Sequence, residues 1–254
     1  CNSWVIALIV SINQGLNVLV SYAFGAKEYR LCGIYLQRSI CVLLLFLVPF
    51  LFILWFSEDI MLILGISPSL ARGAAYYTRT AIPALTLNSF FDALKAFIVG
   101  QKHFQPVIVI QLITFSLHLF WAWLFIGHFK FGIEGAAFCR FVEELMNLIL
   151  IVCYIKFSGK FEHTFVKFMP KALKRKHLWQ QTKFSVPMAA VTYLEFFYFE
   201  FMSILAGTFG TTEVIAHVSI AQISTMNYML FTGISIALMT HIGNALGEQR
   251  IRKA

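Results

Sequence analysis

Carboxylates set in an apolar run can take up protons and can hold a cation. The run Ser185 to Gly207, SVPMAAVTYLEFFYFEFMSILAG, carries Glu195 and Glu200 as its only ionisable groups apart from tyrosine phenols. A charged side chain at mid-bilayer costs about 2.5 to 3.5 kcal/mol on insertion scales, so two on one span call for a compensating use or a wet, protein-lined setting. Five residues apart on a helix, the two acids stand about 140° apart around its axis. They therefore cannot form one bidentate site, but a helix bordering a cavity can present one to the opening and the other to its own helix cluster. Desolvation favours the neutral acid and a nearby cation favours the carboxylate, so either group can exchange a proton for a cationic solute. Aromatic faces attract organic cations by about 0.5 to 2 kcal/mol each. Of the six aromatics around the acids, Tyr193 and Phe197 flank them at helical spacing and are candidate cavity walls.

Other polar groups within apolar runs have a structural reading first. Asn13, Asn17 and Ser21 follow i, i+4, i+8 spacing, with Gln14 beside them. Such a stripe glues membrane helices together, and Asn13 and Asn17 are also candidates for a cavity wall. Asp92 with Lys95, and Arg140 with Glu143 or Glu144, have the spacing of intrahelical ion pairs. His118, two turns from Gln111, reads as a core histidine. Five scattered cysteines show neither CxxC nor Cys/His clustering, which suggests no metal site and no disulfide framework. Neither a phosphate-binding GxxxxGK[ST] loop nor a nucleophile-and-base motif occurs, so the chain is not read as an enzyme.

The elements that position these residues are membrane helices. The chain is 59% hydrophobic and 13% charged, with mean hydropathy +0.76, where a soluble domain carries roughly 25% charged residues. Seven stretches have spanning length: Trp4 to Phe24, Ser39 to Phe56, Ala71 to Gly100, Pro106 to Ile126, Ile133 to Phe157, Ser185 to Gly207 and Val214 to Ala237. Period-2 alternation is missing, which argues against a β-barrel. Lys and Arg fall on one set of alternate loops: Lys27, Arg30 and Arg38, then Lys102, then the stretch from Lys156 to Lys183, then Arg250, Arg252 and Lys253. The opposite loops hold Arg72 and Lys130. Basic residues stay cytoplasmic, so Cys1 is expected outside and Ala254 inside. The net charge of +8 is then an orientation signal, and no nucleic-acid partner is needed to explain it.

Seven spans with an outside N-terminus also describe a heptahelical receptor or a membrane scaffold. The third span ends FIVGQKHF and the last contains GISIALMTHIGNALG, without the acidic-Arg-aromatic triplet or the NPxxY-like signature of receptors. Four ordered blocks point elsewhere: Gly15 to Ser39; QKHFQP at Gln101 to Pro106 with GIEGAA at Gly132 to Ala137; PMAAVTYLEFFYFE at Pro187 to Glu200; and GISIALMTHIGNALGE at Gly233 to Glu248. Taken together the chain resembles the multidrug and toxic compound extrusion (MATE) transporters, most closely the eukaryotic branch. The resemblance implies an all-α integral membrane protein of two six-helix lobes related as parallel repeats, of which this chain covers helices two to eight. It divides the chain into a partial first lobe with five spans (1–157), a basic cytoplasmic linker (158–184) and the start of a second lobe with two spans (185–254). Ala23-Phe24-Gly25 and Ala245-Leu246-Gly247 stand as a trace of that repeat.

The resemblance further implies a monomeric secondary antiporter of the plasma membrane or a vacuolar or endosomal membrane, exporting small organic, cationic or amphipathic solutes. It is driven by a proton gradient, preferred over sodium, and needs no cofactor. Glu195 and Glu200 match the acidic positions that handle substrate and proton. Gln222 stands where some animal members carry a further glutamate, which makes it a further candidate wall residue. A lipid-linked substrate flippase of the same superfamily is the second alternative, and it would show a cavity rich in Arg and Lys.

Overall fold

In a bilayer, apolar runs have no water to satisfy their backbone, and a helix closes its own N–H and C=O bonds within the run. The computed structural model, which describes residues 2–63, 65, 67–170 and 174–249, follows that rule. Its helices are α1 (Asn2–Gly25), α2 (Tyr29–Trp55), the short α3 (Ser57–Ile63), α4 (Pro68–Gly100), α5 (Gln105–Ala122), α6 (Gly132–Phe157), α7 (Arg175–Phe209) and α8 (Thr211–Gly247). A π-helical turn, Trp123–His128, continues α5. No strand occurs among the described residues. Six of the helices are long and apolar enough to cross a membrane. The seventh expected span, α6, has the length but carries Glu134, Arg140, Glu143, Glu144 and Lys156 along it.

Several helices extend past the limits expected from hydropathy, because hydropathy marks only the lipid-facing part of a helix. α2 starts at Tyr29 rather than Ser39, α7 at Arg175 rather than Ser185, and α8 continues to Gly247 rather than stopping at Ala237. Helix α7 therefore begins inside the basic stretch. Residues Cys1, Lys171 and 250–254, with the chain ends and basic groups they contribute, lie outside the described residues.

Helix α1 is the hub and packs against α2, α4, α7 and α8. One buried cluster joins its Leu16, Val20 and Ala23 to Phe91, Phe97 and Ile98 of α4 and Ile151 of α6. A second joins Val5, Leu8, Ile9 and Ile12 to Val42, Leu43 and Leu47 of α2 and Leu85 of α4. The remaining long helices expose much apolar surface, Phe115 and Leu119 of α5 and Leu230 and Phe231 of α8 among it, as suits a chain solvated by lipid or by further helices.

The connection from α6 to α7 lies docked on the helix ends. Gln37 of α2 donates through Nε2 to the carbonyls of Val166 (2.9 Å) and Lys167 (3.1 Å), and its Oε1 accepts from the Met169 N–H at 3.0 Å. Phe161 is buried against Phe97, Tyr154 and the ring of His103. A neutral hydrogen bond contributes about 0.5 to 1.5 kcal/mol net, so Gln37→Ala is expected to strip hydrogen-exchange protection from residues 161–169 while leaving α2 protected. Burial, and then the nearby Lys160 charge, hold the His103 imidazole below its ordinary value of 6.5. The undocked histidine is then the first to protonate as pH falls through about 6.5, and the docked form loses stability on the acid side. Exchange protection of 161–169 should accordingly fall between pH 7 and pH 5.5, and less so in His103→Gln.

Candidate functional site

Helix α7 splits its side chains between two neighbours. Tyr193 stacks on Trp4 of α1 with ring centroids 5.7 Å apart and donates its hydroxyl to the Trp4 carbonyl at 3.1 Å. Phe197, one turn on, leans on the same indole at 6.4 Å. Glu195 follows Tyr193 by two residues, about 200° around the helix, and faces the other way. Its Oε2 accepts the Tyr228 hydroxyl of α8 at 2.9 Å. Glu200 is half-buried further along α7 with no hydrogen bond to the described residues, and Gln222 is exposed on α8. The two carboxylates thus share one helix but not one environment: the first is tethered across α7 and α8 and the second is untethered.

On α1, Asn17 ties two elements together. Its Oδ1 accepts from Ser21 at 3.3 Å and from Thr240 of α8 at 3.1 Å. One turn toward Trp4, Asn13 is buried, and neither its Nδ2 nor its Oδ1 has a partner among the described residues.

Below Asn17, α1 and α8 meet backbone to backbone. Gly25 lies against the main chain of Asn244, Gly247 against Tyr22 and Gly25, and Gly243 against the Ser21 side chain. Asn244 donates to the Gly100 carbonyl of α4 at 3.1 Å, and Lys102 stands 3.6 Å from Glu248. Among the described positions of α8, the buried ones all fall in this stretch, at Thr240, Gly243, Asn244 and Gly247. The seam is therefore closed at the end where Lys27 and Lys102 gather, and α8 is unburied from Thr212 to Met239. Both seam helices end in the same local turn: Lys27 and Gln249, each two residues past its glycine, have φ of 62° and 58°.

The intrahelical charges resolve into definite pairs. Asp92 contacts Lys95, and Arg140 stands 3.6 Å from Glu144. Glu143, on a neighbouring face of α6, lies instead 2.9 Å from Nδ1 of His118 on α5. His118 is half-buried beside a carboxylate, not enclosed in the core.

Sequence reasoning passed over Tyr228, Thr240 and Asn244. A phenol, a hydroxyl and an amide on one long apolar helix were a usable signal, since each must find a partner away from water.

The family model described as MatE matches residues 1–124 and 187–254. Protein DETOXIFICATION 16 of Arabidopsis thaliana is 29% identical over 244 residues, covering 95% of this chain and 50% of that protein. Protein DETOXIFICATION 17 of the same plant is 34% identical over 195 residues, covering 76% and 40%. A crystal structure of the eukaryotic MATE transporter AtDTX14 superposes with a TM-score of 0.88 at 22% identity, covering 98% of this chain and 55% of that one. The chain spans about half the length of the curated relatives it matches.

Proposed function

The chain belongs to the MatE family of membrane transporters, and from that premise we propose that it forms the substrate- and proton-handling part of an antiporter that exports organic cations. The observation that carries the reading is the α7–α8 face. Glu195 lies on it and Glu200 stands further along α7, with no lysine or arginine anywhere between residues 184 and 249. A face of that charge attracts cations and repels the phosphorylated head groups a flippase would take. Family membership sets the receptor reading aside.

The cycle follows from charge and access. With the basic ends cytoplasmic, the α1–α8 seam seals the inner side, and Glu195, bonded to Tyr228 about three turns of α8 beyond Thr240, lies on the outer side of that seam. A proton arriving there neutralises the carboxylate, ends its attraction for a bound cation and releases the solute. The Tyr228 hydroxyl holds the carboxyl group in place through both states, donating to it when it is ionised and accepting from its O–H when it is protonated. Parting of the seam would then return the deprotonated glutamate to the cytoplasmic side. Asn13, with its amide unpaired on the hub helix, is a candidate polar wall for the solute, whereas Asn17 is engaged in the seam.

The test is uptake of a fluorescent organic cation into inside-out proteoliposomes of the complete protein under an imposed proton gradient. Accumulation that collapses with a protonophore and persists without sodium supports the reading. Accumulation that follows a sodium gradient alone replaces the proton with sodium as the coupling ion. No accumulation under either gradient rejects cation antiport.

A further inference from the structure

The turn between α1 and α2 has no part in that cycle. We propose that Lys27, Arg30 and His163 form a binding site for the phosphate group of an anionic phospholipid, whose acyl chains lie along one exposed stripe of α2. The site rests on the helix ends and their charge, and it does not depend on the antiport reading.

An open cavity of about 570 Å³ lies between the end of α1 and the start of α2, lined by these three residues with Glu28, Tyr29 and Ile34 among the rest. All three basic residues are exposed, and neither Lys27 nor Arg30 has a carboxylate within ion-pair distance among the described residues. Glu28 is the single acid of the lining, so the cavity keeps an excess of positive charge. The first turn of α2 adds to it. Its N-cap residue, Glu28, makes no side-chain capping bond, and free N–H groups at a helix start favour an anion.

His163 comes to the cavity from far along the chain, on the connection between α6 and α7. A Cβ on Gly33 would meet the Thr164 carbonyl oxygen and Val166, so only glycine lets that connection lie so close to α2. One turn on, Gln37 fastens it through the carbonyls of Val166 and Lys167. The imidazole then offers an N–H to the same cavity as the Lys27 ammonium and the Arg30 guanidinium, whose planar fork matches a phosphate.

The surface that continues from the cavity makes the ligand a lipid rather than a free anion. Arg30, Cys41, Leu45, Val48 and Phe52 all point within about 40° of the direction of Ile34 on α2. Leu45, Val48 and Phe52 are 67%, 60% and 66% exposed, so nothing among the described residues covers that stripe. Arg38 borders it at the head-group end, with its guanidinium over the Tyr35 ring at 5.8 Å. The hydrocarbon of one leaflet is about 15 Å thick, or about ten residues of helix, which carries an acyl chain from the level of Ile34 to near Leu45. A free phosphate has no use for such a stripe. With the basic ends cytoplasmic, the cavity opens to the leaflet that holds anionic lipid.

The test uses the complete protein in phosphatidylcholine nanodiscs with a trace of phosphatidic acid that carries a photoreactive group at the end of one acyl chain. Labelling should fall on α2 near Leu45 and exceed that by a phosphatidylcholine probe with the same chain. Competition by unlabelled phosphatidic acid gives the affinity. K27Q/R30Q should lower it about 30-fold, at about fivefold per basic group, and H163A should lower it as well. K174Q/K176Q, which removes the same charge from residues outside the cavity, should leave it unchanged. Inorganic phosphate at constant ionic strength should not displace the probe. Equal labelling by the two probes overturns the site, and so does an equal loss in the two double variants, which would leave only a general surface field. An unchanged affinity in H163A overturns the part played by the connection. Displacement by inorganic phosphate overturns the lipid in favour of a free anion. If K27Q/R30Q does not fold, the two probes on the wild type decide, and labelling away from residues 41–48 overturns the stripe.

Discussion

Replacing Glu195 and Glu200 together by glutamine will reduce proton-driven accumulation of an organic cation to the level of protein-free vesicles, with the protein still inserted and folded. Glutamine keeps the shape and one acceptor oxygen, so Tyr228 retains a partner at position 195. Glutamine also introduces no charge into the span, and a charge there is the costly state, so insertion is not expected to suffer. What disappears is the negative charge and the capacity to bind a proton. The single variants should be unequal, E195Q more damaging than E200Q, because only Glu195 is positioned by a hydrogen bond across two helices. Y228F should fall between wild type and E195Q: it removes one hydrogen bond, about 0.5 to 1.5 kcal/mol, and leaves the charge. Initial rates in proteoliposomes, with circular dichroism as the folding control, check the series. Undiminished transport by the double variant would remove both acids from the mechanism.

The contrast between Glu195 and its neighbours also marks how far the sequence could be read. Their angular separation was legible, because the helical period fixes it whatever the surroundings. Which neighbour each acid meets was not, since the answer depends on Trp4 and Tyr228, distant in sequence and brought close by packing. The polar stripe of Asn13, Asn17 and Ser21 was legible as a helix-joining face, and Asn17 does join α1 to α8. Its partner Thr240 was hidden, because a hydroxyl in an apolar helix most often bonds its own i−4 carbonyl. Spacing allowed Arg140 either Glu143 or Glu144, and the choice fell to Glu144 because α5 offers His118 to the other. The docking of residues 161–169 left no trace in the sequence: Gln37 reads backbone groups, which every residue has.

Gly25 and Gly247 carry the second large effect. A Cβ on Gly25 would meet the carbonyl oxygen, carbon and Cα of Asn244, and one on Gly247 would meet the Tyr22 carbonyl and the main chain of Gly25 and Ala26. These are backbone atoms of packed helices, which cannot swing aside as a side-chain tip does, so the helices themselves must part. Overpacking of this kind costs about 1 to 3 kcal/mol, while alanine within a helix regains about 0.5 to 1 kcal/mol over glycine. The penalty applies only where the seam is closed and the gain applies in both states, so G25A and G247A should shift the population toward the parted seam by roughly 5- to 150-fold. The partly exposed Lys102–Glu248 pair cannot offset that shift, since surface ion pairs contribute about 0 to 1 kcal/mol. Its two residues serve as reporters instead. With the five native cysteines replaced, cysteines at positions 102 and 248 should be bridged by a bifunctional thiol reagent long enough to replace the two side chains in the parent, and poorly with either alanine. G233A is the control, because a Cβ there meets nothing within 4 Å, and its cross-linking should match the parent. Equal cross-linking in G25A, G247A and G233A would mean that the glycine contacts do not govern the seam. If instead the cross-link is lost while exchange still occurs, the closed seam is one station of the cycle, and its glycines are what allow α1 and α8 to close without a side chain between them.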